Sequence, residues 1–453
     1  MPSLWSRIRR LGSTEQEEEE EGSSCRVVPT FERDHDNKVP PLGNNEVQDF
    51  PLPLTSYPVL MLPVTHTTCR LFNPVTGKFT RFSYPDGGKI SYSSSIPAFS
   101  NGHGWVSYFT NTDCSMILAN NVLSDSNPSA TAITLPPFHT IPNLHSLPIE
   151  AADPDLKAAA PPGTDCFFYY TNVRDGEEVI KFLPRRLMVE MILGCFALSS
   201  SSPTEDNCVA FLSPGRYLRH TLGIDFAFCR IGDARWSTAP LCLDHYNKVD
   251  QCFIEKVVYS RREKLFYVLS RHMCIQVVEF NDDDPASLPK RLCSPHCVPV
   301  DPCRVAYELY RDEVLPVYHS MYLVETPQRD PLLVLHYFVP IEYDDEDDDD
   351  EEEEGKYRSV GFHVYKLCFD RQKVVAEEFF LDDTALLVDV ASFVCVSVRD
   401  FPGLMPNSVY FFGRHEIGFY NLLDRAFTHF YQPFEMLMEE ISGQPMWVSR
   451  PQL

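Results

Sequence analysis

A strand–turn–strand pattern recurs at least six times in this sequence. In each copy, apolar residues alternate with polar ones on both sides of a short polar turn, which is typical of an antiparallel hairpin. The six segments begin at Cys69, Phe226, Lys256, Ser320, Gly361 and Ile417. A sandwich rarely needs so many hairpins, whereas a propeller repeats a four-stranded sheet around a ring. The sequence therefore predicts an all-β chain folded as a β-propeller of about six or seven four-stranded blades.

The chain divides by composition into a tail and one large domain. Residues 1–50 are polar and highly charged, and we expect them to form a disordered acidic N-terminal tail. Residues 51–453 carry the strand pattern and are assigned to the propeller. Within them, residues 343–355 are predicted to be a disordered acidic loop between two strands, since so many adjacent carboxylates cannot be buried together.

Negative charge is concentrated in two runs. Six glutamates lie between Glu15 and Glu21, and twelve carboxylates lie between Glu342 and Glu354, so that these runs account for most of the net charge of −25. Nucleic-acid-binding surfaces need clustered Lys and Arg, and this balance argues against one. The sequence contains no apolar run of the roughly 18 to 20 residues that a membrane-spanning helix needs. We therefore expect neither nucleic acid nor a membrane as a partner.

The fifteen cysteines indicate a reducing compartment. Most of them stand among apolar residues, as buried thiols of an intracellular protein do. We expect the protein in the cytoplasm, the nucleus or both. Residues 1–14 hold three arginines and no acid, as organelle-targeting helices do, but the glutamates that follow favour a disordered tail.

Candidate metal sites are weak. Cys293, His296, Cys297 and Cys303 lie close together, but their spacing in a proline-rich segment differs from paired zinc knuckles and favours a structural loop. The acidic run lacks the spaced ligands and the turning glycine of a calcium loop. The sequence also lacks the serine-hydrolase elbow, the phosphate-binding loop and the zinc-protease motif. We therefore assign no catalytic, cofactor-binding or metal residues and expect no cofactor.

Some histidines and aromatic residues remain to be explained. His220 and His415 stand beside arginines at turns, where exposed or hydrogen-bonded histidines are usual, and neither accompanies a nucleophile motif. Trp236 and Trp447 would line a ligand groove or pack between blades, and the second role is the more common one. The same interpretation applies to "CFFYY", which begins at Cys166.

Several longer segments resemble a known family. "RLFNPVTGKFTRF", "NGHGWV", "FAFCRIGDARWSTAPL", "VGFHVYKLCFD", "IGFYNLLDRAFTHFY" and the Phe401–Leu404 segment followed by "NSVYFF" are similar to the plant family of domain of unknown function 295. Its members are KIB-type β-propellers of kelch-like appearance, often found behind an F-box. The resemblance covers roughly residues 57 to 450 and implies a propeller without a known cofactor.

The resemblance also suggests functions. F-box members of the family are thought to be substrate receptors of Skp–cullin ubiquitin ligases, but residues 1–50 contain no recognisable F-box. We therefore predict a non-enzymatic protein-interaction module whose loops on one face bind a protein partner. The alternatives are a ubiquitin-ligase substrate receptor whose F-box is absent from this chain, and an enzyme or small-molecule sensor that uses the central channel.

The two sequence segments at the ends of the family resemblance are both short and apolar. "YPVLMLP" begins at Tyr57 and "QPMWVSRP" begins at Gln444. A propeller ring closes when strands from both ends of the chain join one sheet, because an open ring would leave unpaired strand edges. We therefore expect these two segments to pair, with Trp447 buried near the first blade.

Overall fold

The structure is a computed structural model of the chain. It describes residues 58–63, 68–83, 99–100, 105–109, 115–120, 132–158, 166–174, 177–184, 194–200, 202–205, 207–215, 224–239, 254–270, 273–281, 287–292, 296–297, 318–326, 328, 330–340, 357–370, 373–389, 393–412, 416–431 and 446–448. The predicted tail at residues 1–50 and the predicted loop at residues 343–355 lie outside these ranges.

Nearly all of the regular structure is β. Before residue 240 the strands are β1 Val59–Pro63, β2 Thr68–Asn73, β3 Lys78–Ser83, β4 Phe99–Ser100, β5 Trp105–Phe109, β6 Met116–Asn120, β7 Ala132–Thr134, β8 His145–Pro148, β9 Cys166–Arg174, β10 Glu177–Pro184, β11 Cys195–Leu198, β12 Val209–Ser213, β13 Phe226–Arg230 and β14 Ser237–Ala239. Two 3₁₀ turns, Phe138–Thr140 and Ile149–Ala151, and helix α1, Pro154–Ala158, lie between β7 and β9.

The second half of the chain continues the pattern. Its strands are β15 Ile254–Ser260, β16 Leu265–Ser270, β17 Cys274–Glu279, β18 Lys290–Arg291, β19 His296–Cys297, β20 Tyr318–Glu325, β21 Pro331–Pro340, β22 Tyr357–Asp370, β23 Lys373–Glu378, β24 Thr384–Val388, β25 Phe393–Ser397, β26 Ser408–Phe412, β27 Ile417–Asn421, β28 Ala426–Tyr431 and β29 Met446–Val448. All six predicted hairpins are present in the sheets, which confirms that part of the prediction.

Six sheets of four or five strands form the blades of a β-propeller. Blade 1 has the order β29-β1-β2-β3, blade 2 is β4 to β7, blade 3 is β11 to β14, blade 4 is β15 to β19, blade 5 is β20 to β23 and blade 6 has the order β25-β24-β26-β27-β28. A three-stranded sheet, β8 to β10, lies between blades 2 and 3 in the chain and is called the small sheet here. The predicted propeller is thereby confirmed.

Hydrophobic packing between neighbouring blades closes the ring. Each of six buried clusters joins adjacent blades, and the cluster between blades 2 and 3 also takes in residues of the small sheet. Because every blade is covered on both sides, middle strands such as β12, β16 and β24 are buried along their whole length. This explains why they are almost continuously apolar instead of alternating.

The chain ends close the ring as the sequence predicts. Strand β29 pairs antiparallel with β1, and Leu60 lies opposite Trp447. Trp447 is fully buried in the cluster between blades 6 and 1. Its backbone N–H donates to a carboxylate oxygen of Asp389 at 2.8 Å, and its indole N–H donates to the carbonyl of Val388 at 3.2 Å.

Blades 4 and 6 differ from the predicted four-stranded design. In blade 4, the short strand β19 pairs with β17 beside β18. In blade 6, β25 turns back along β24, and the chain then crosses to the other side of β24, where β26 pairs with it in parallel. Phe401 and Leu404 in the crossing segment are buried against blade 1, so the crossing is part of the core.

No helix in the described ranges is both long enough and apolar enough to span a bilayer.

Candidate functional site

The innermost strands of the blades converge around the central axis. Strands β4, β29, β25, β20, β15 and β11 contact one another in this order, so each blade presents its edge strand to the channel of the propeller. Strands β11, β15 and β20 all begin at one end of the ring. We call this end the upper face. Polar side chains from four neighbouring blades meet near these strand starts.

Lys256 is the central cation of this group. It lies on β15, next to an irregularity in the pairing of β15 with β16 between Ile254 and Lys256. Lys256 is half-buried, and its ammonium group lies 5.6 Å from the centre of the Tyr322 ring on β20. Burial among protein atoms lowers the pKa of Lys256, while the neighbouring Cys195, Glu255 and Asp389 act to raise it.

Two protonated groups flank the lysine. Burial raises the pKa of the Cys195 thiol to about 12, although Lys256 opposes this effect. Burial also raises the pKa of Tyr322 well above its ordinary value, and the charge of Asp389 adds to this shift. Both groups are therefore neutral at physiological pH. A protonated, buried thiol is not an activated nucleophile.

Carboxylates outnumber cations in this cluster. Glu255 and Asp389 both interact with Lys256, and Asp389 is buried. His319 at the start of β20 has an exposed side chain, and partial desolvation by its neighbours lowers its pKa despite the opposing charge of Glu255. We define Cys195, Glu255, Lys256, His319, Tyr322 and Asp389 as the channel-mouth cluster. Its formal charge is negative, with two carboxylates against one ammonium.

The arrangement provides groups that can donate and accept hydrogen bonds. No three His, Cys, Asp or Glu side chains in the part of the chain that the structure describes are grouped so as to hold a metal ion. The partly exposed Glu255 and Lys256 and the exposed His319 can bond to a bound molecule. The cluster is therefore suited to recognition.

A second polar group lies inside the protein between blades 5 and 6. The imidazole of His336 and the hydroxyl of Ser359 are 2.7 Å apart, and the backbone N–H of Ser359 donates to Glu416 at 2.7 Å. His336 stacks on Phe362 at 4.1 Å. All three polar residues are buried. The short Ser–His distance therefore lies in the protein interior, where it stabilises the fold.

A groove of mixed polarity runs along the outer part of the same two blades. Its volume is about 140 Å³, and its lining combines apolar residues such as Phe379, Phe380 and Leu423 with the charged residues Glu378 and Arg425. Phe380 and Leu423 are largely exposed. Phe379 pairs its backbone with Val364, which is seven residues along β22 from Tyr357. Phe379 is thus about 23 Å from the upper end of β22, measured along the strand.

Several residues that the sequence analysis singled out have structural roles. Trp236 and Trp447 are buried between blades, as predicted, and the indole of Trp236 donates to the carbonyl of Pro136 at 2.7 Å. In "CFFYY", Cys166, Phe167, Phe168 and Tyr170 are buried and Tyr169 is partly exposed, which supports the packing interpretation.

The structure describes only some of the histidine and cysteine candidates. His296 and Cys297 form β19, where their backbones pair with Ile275 and Cys274, so this part is a strand rather than a loop. Cys293, Cys303, His220 and His415 lie outside the described residues. The eight cysteines whose side chains are described are thiols, and six of them are buried, in agreement with the predicted buried thiols.

The sequence analysis missed the channel-mouth cluster. A usable signal exists in "IEKVVYS", where two charged residues open a strand that is otherwise apolar. These two residues, Glu255 and Lys256, belong to the channel-mouth cluster because β15 is the innermost strand of its blade. That strand order, however, becomes visible only when the blades are assembled.

The chain was compared with known proteins. The model of the KIB1-4 β-propeller family matches residues 60–421. This chain belongs to the KIB1-4 β-propeller family. The match confirms the resemblance inferred from the sequence and takes in five of the six predicted hairpins completely. No curated protein matches the chain.

Solved structures similar to this KIB1-4 propeller share little sequence with it. A putative 6-phosphogluconolactonase from Bacteroides uniformis is 9% identical over 88% of this chain and 98% of its own, with a TM-score of 0.29. Apo AztD from Citrobacter koseri is 10% identical over 86% and 97%, with a TM-score of 0.27. The β-propeller domain of Cps50 (Swd1) from Myceliophteria thermophila is 9% identical over 74% and 96%, with a TM-score of 0.22.

Proposed function

We propose that this KIB1-4 propeller is a non-enzymatic protein-interaction module that binds a protein partner through its upper face. The observation that carries the proposal is the channel-mouth cluster, in which blades 3 to 6 place polar and charged groups at one end of the ring. Tyr318, which is 46% exposed, extends this surface outward from β20. An exposed aromatic residue beside polar groups is typical of protein interfaces.

The state of the cluster favours binding over chemistry. Its thiol and phenol are held in their protonated forms by burial. Groups in this state donate hydrogen bonds and do not attack substrates. A second candidate function, a small-molecule sensor in the channel, is supported by Lys256, whose lowered pKa is typical of functional lysines.

Photo-cross-linking tests the proposed function. A photoreactive phenylalanine analogue replaces Tyr318 on the upper face in one variant and Phe380 in the outer groove in another. These two residues have similar exposure, 46% and 49%, so both positions are accessible. We expect covalent adducts with a protein partner from position 318 and none from position 380.

The outcomes separate the alternatives. Adducts from position 380 alone, or from neither position, would overturn binding through the upper face. Mass spectrometry of the adducts also tests the ligase alternative, because recovery of an Skp adaptor bound directly to this chain would indicate a ubiquitin-ligase subunit. A thermal shift caused by a small molecule and abolished by Lys256→Met, without protein adducts, would favour the sensor.

A further inference from the structure

Two cysteines lie opposite each other in blade 4. Cys274 begins β17, Cys297 ends the short strand β19, and the two occupy directly paired positions of these antiparallel strands. Cys274 is a half-buried thiol. Strand β16 is antiparallel to both β15 and β17, so β17 runs in the same direction as β15 and begins at the upper face. The cysteine pair therefore lies at the upper end of the blade, where an oxidant in solution can reach Cys274.

The hydrogen bonds of β17 show which type of pair the two cysteines form. In an antiparallel sheet the backbone groups of successive residues point alternately to one neighbouring strand and to the other. The backbone N–H of Cys274 donates to Oγ of Ser270 on β16 at 3.1 Å, so Cys274 is directed towards β16. The carbonyl of Val277 accepts from the N–H of Leu292 at 2.9 Å, so position 277 is directed towards the outer edge of the blade. Both bonds give the same alternation, and Cys274 and Cys297 are therefore a non-hydrogen-bonded pair.

A pair of this type has the backbone spacing of a disulfide. In a non-hydrogen-bonded pair the two Cα atoms are about 4.5 Å apart, and residues directly opposite each other share one face of the sheet. Disulfides join residues whose Cα atoms are roughly 4.4 to 6.8 Å apart. The register of β17 and β19 therefore places the two cysteines at a distance that a disulfide spans without movement of either strand.

Strand β19 is held by few backbone bonds. Among the described residues it has two paired positions, Cys297 with Cys274 and His296 with Ile275, and the alternation along β17 makes the second pair the hydrogen-bonded one. The neighbouring strand β18 likewise pairs with β17 at two positions. Short strands at the edge of a sheet open at a low free-energy cost. A covalent link between β17 and β19 would therefore change how firmly this edge of blade 4 is held.

We propose that Cys274 and Cys297 are a redox modification site, which forms a reversible disulfide between β17 and β19. The oxidant is a small disulfide such as oxidised glutathione. The thiolate of Cys274 attacks one of its sulfur atoms, and one glutathione thiolate leaves. The thiolate of Cys297 then attacks the sulfur of Cys274 and expels the second glutathione. The two protein thiols thereby lose two electrons and two protons, and one oxidised glutathione is reduced to two thiols.

The reverse exchange with reduced glutathione restores both cysteines. Disulfides of intracellular proteins are usually transient and sense the redox state, which agrees with the reducing compartment that the cysteine pattern indicates. The inference goes beyond the proposed function and does not depend on it.

Peptide mapping of the full-length protein tests the inference. The reduced protein is treated with oxidised glutathione, its remaining thiols are blocked with iodoacetamide, and it is digested with trypsin without a reductant. Trypsin cleaves after lysine and arginine, so Cys274 falls in the peptide of residues 272–290 and Cys297 in that of residues 292–304. We expect mass spectrometry to find these two peptides joined, and separated again after reduction.

Two serine variants identify the partner of Cys274. Cys297→Ser should abolish the joined peptides, whereas the matched control Cys293→Ser, which changes a cysteine of the same peptide, should retain them. Equal melting temperatures of the reduced wild type and both reduced variants show that all three are folded. We expect oxidation to raise the melting temperature of the wild type and of Cys293→Ser and to leave that of Cys297→Ser unchanged, because a cross-link restricts the unfolded chain.

Several results would overturn the inference. Joined peptides that persist in Cys297→Ser, or that are lost in Cys293→Ser, would show that Cys274 pairs with another cysteine. Recovery of Cys274 only as a blocked thiol or as a glutathione adduct would show that the second exchange does not occur. Joined peptides in equal yield from protein unfolded in urea would show that the fold does not select the pair. A disulfide without a rise in melting temperature would show that the link does not secure β19.

Discussion

His336 shows what a single buried residue contributes to the propeller. Its imidazole is buried between blades 5 and 6, against Phe362 and the Ser359 hydroxyl. Burial lowers its pKa to about 3, so it is neutral in the folded protein at every pH above that value. In the unfolded chain a histidine has a pKa of about 6.5. The unfolded chain therefore takes up a proton first as the pH falls.

We expect acid to destabilise the protein through this residue. Its contribution to stability is present above pH 6.5 and is lost as the pH falls towards 3, by about 2 kcal/mol between pH 7 and pH 5. Urea unfolding of His336→Gln at both pH values measures this, because the variant lacks the titrating group and loses correspondingly less stability. His139→Gln, at an exposed position, is the control and should follow the wild type. Parallel losses in His336→Gln and the wild type would show that another group titrates.

Gly403 illustrates a residue whose importance is only partly visible in the sequence. It lies in the segment Phe401–Leu404, which helped to reveal the family resemblance. Its φ of +105° suits glycine, and a Cβ atom there would lie 2.6 Å from Cγ1 of Val75 in blade 1. The sequence marks the glycine as a turn residue. The contact with Val75 depends on the closure of the ring, which only the assembled structure shows.

Strand β29 is the element on which ring closure depends. Trp447 is the largest side chain of β29 and is fully buried. Replacing it with alanine therefore leaves a cavity between blades 6 and 1. We expect Trp447→Ala to lower the free energy of unfolding by about 3 to 5 kcal/mol. Chemical denaturation measures the change. Leu423→Ala, at a residue that is 72% exposed, serves as the control and should have an effect below about 0.5 kcal/mol. A loss below about 1 kcal/mol for Trp447→Ala would contradict a closing role for β29.

The accuracy of the sequence predictions depends on the distance along the chain between paired elements. Hairpins such as β2–β3 and β15–β16 were predicted correctly, because their turns and alternating residues are contiguous. The parallel pair of β24 and β26 was not predicted. Its connection contains β25 and then crosses over β24, and the buried residues of that connection resemble another turn in the sequence. Channel residues such as Lys256 were missed for a related reason, since a strand becomes innermost only through the order of the blades.

At the scale of the whole molecule, the acidic run connects two strands of blade 5. The strands on either side, β21 and β22, pair as far as Pro340 and Tyr357. We expect deletion of residues 344–354 to change stability by no more than about 1 kcal/mol, because the remaining five residues still suffice for a hairpin loop. Removal of like charge stabilises the fold slightly at low salt. Differential scanning fluorimetry at two salt concentrations measures the effect.

The matched control for this deletion keeps the length of the loop. Replacement of residues 344–354 by eleven alternating glycine and serine residues removes the charge and leaves the connection unchanged. The deletion and the replacement should melt within a few degrees of the wild type. A fall in the melting temperature beyond about 5 °C in both variants would show that the carboxylates contribute to packing or bind an ion.

The pairing of β1 with β29 also determines how long β1 must wait for its partner strand while the protein is being synthesised. Leu60 leaves the ribosome long before Trp447, the residue opposite it in the sheet, has been made. At about 5 to 20 residues per second, the wait lasts about 20 to 80 seconds. During this time the edge of β1 that β29 will cover is exposed, and exposed strand edges invite pairing with other chains. Blades 2 to 5 can form during elongation, but blade 1 acquires β29 only after all the other blades have been translated. A nascent chain of this protein is therefore open to aggregation through this edge until the segment around Trp447 has been made.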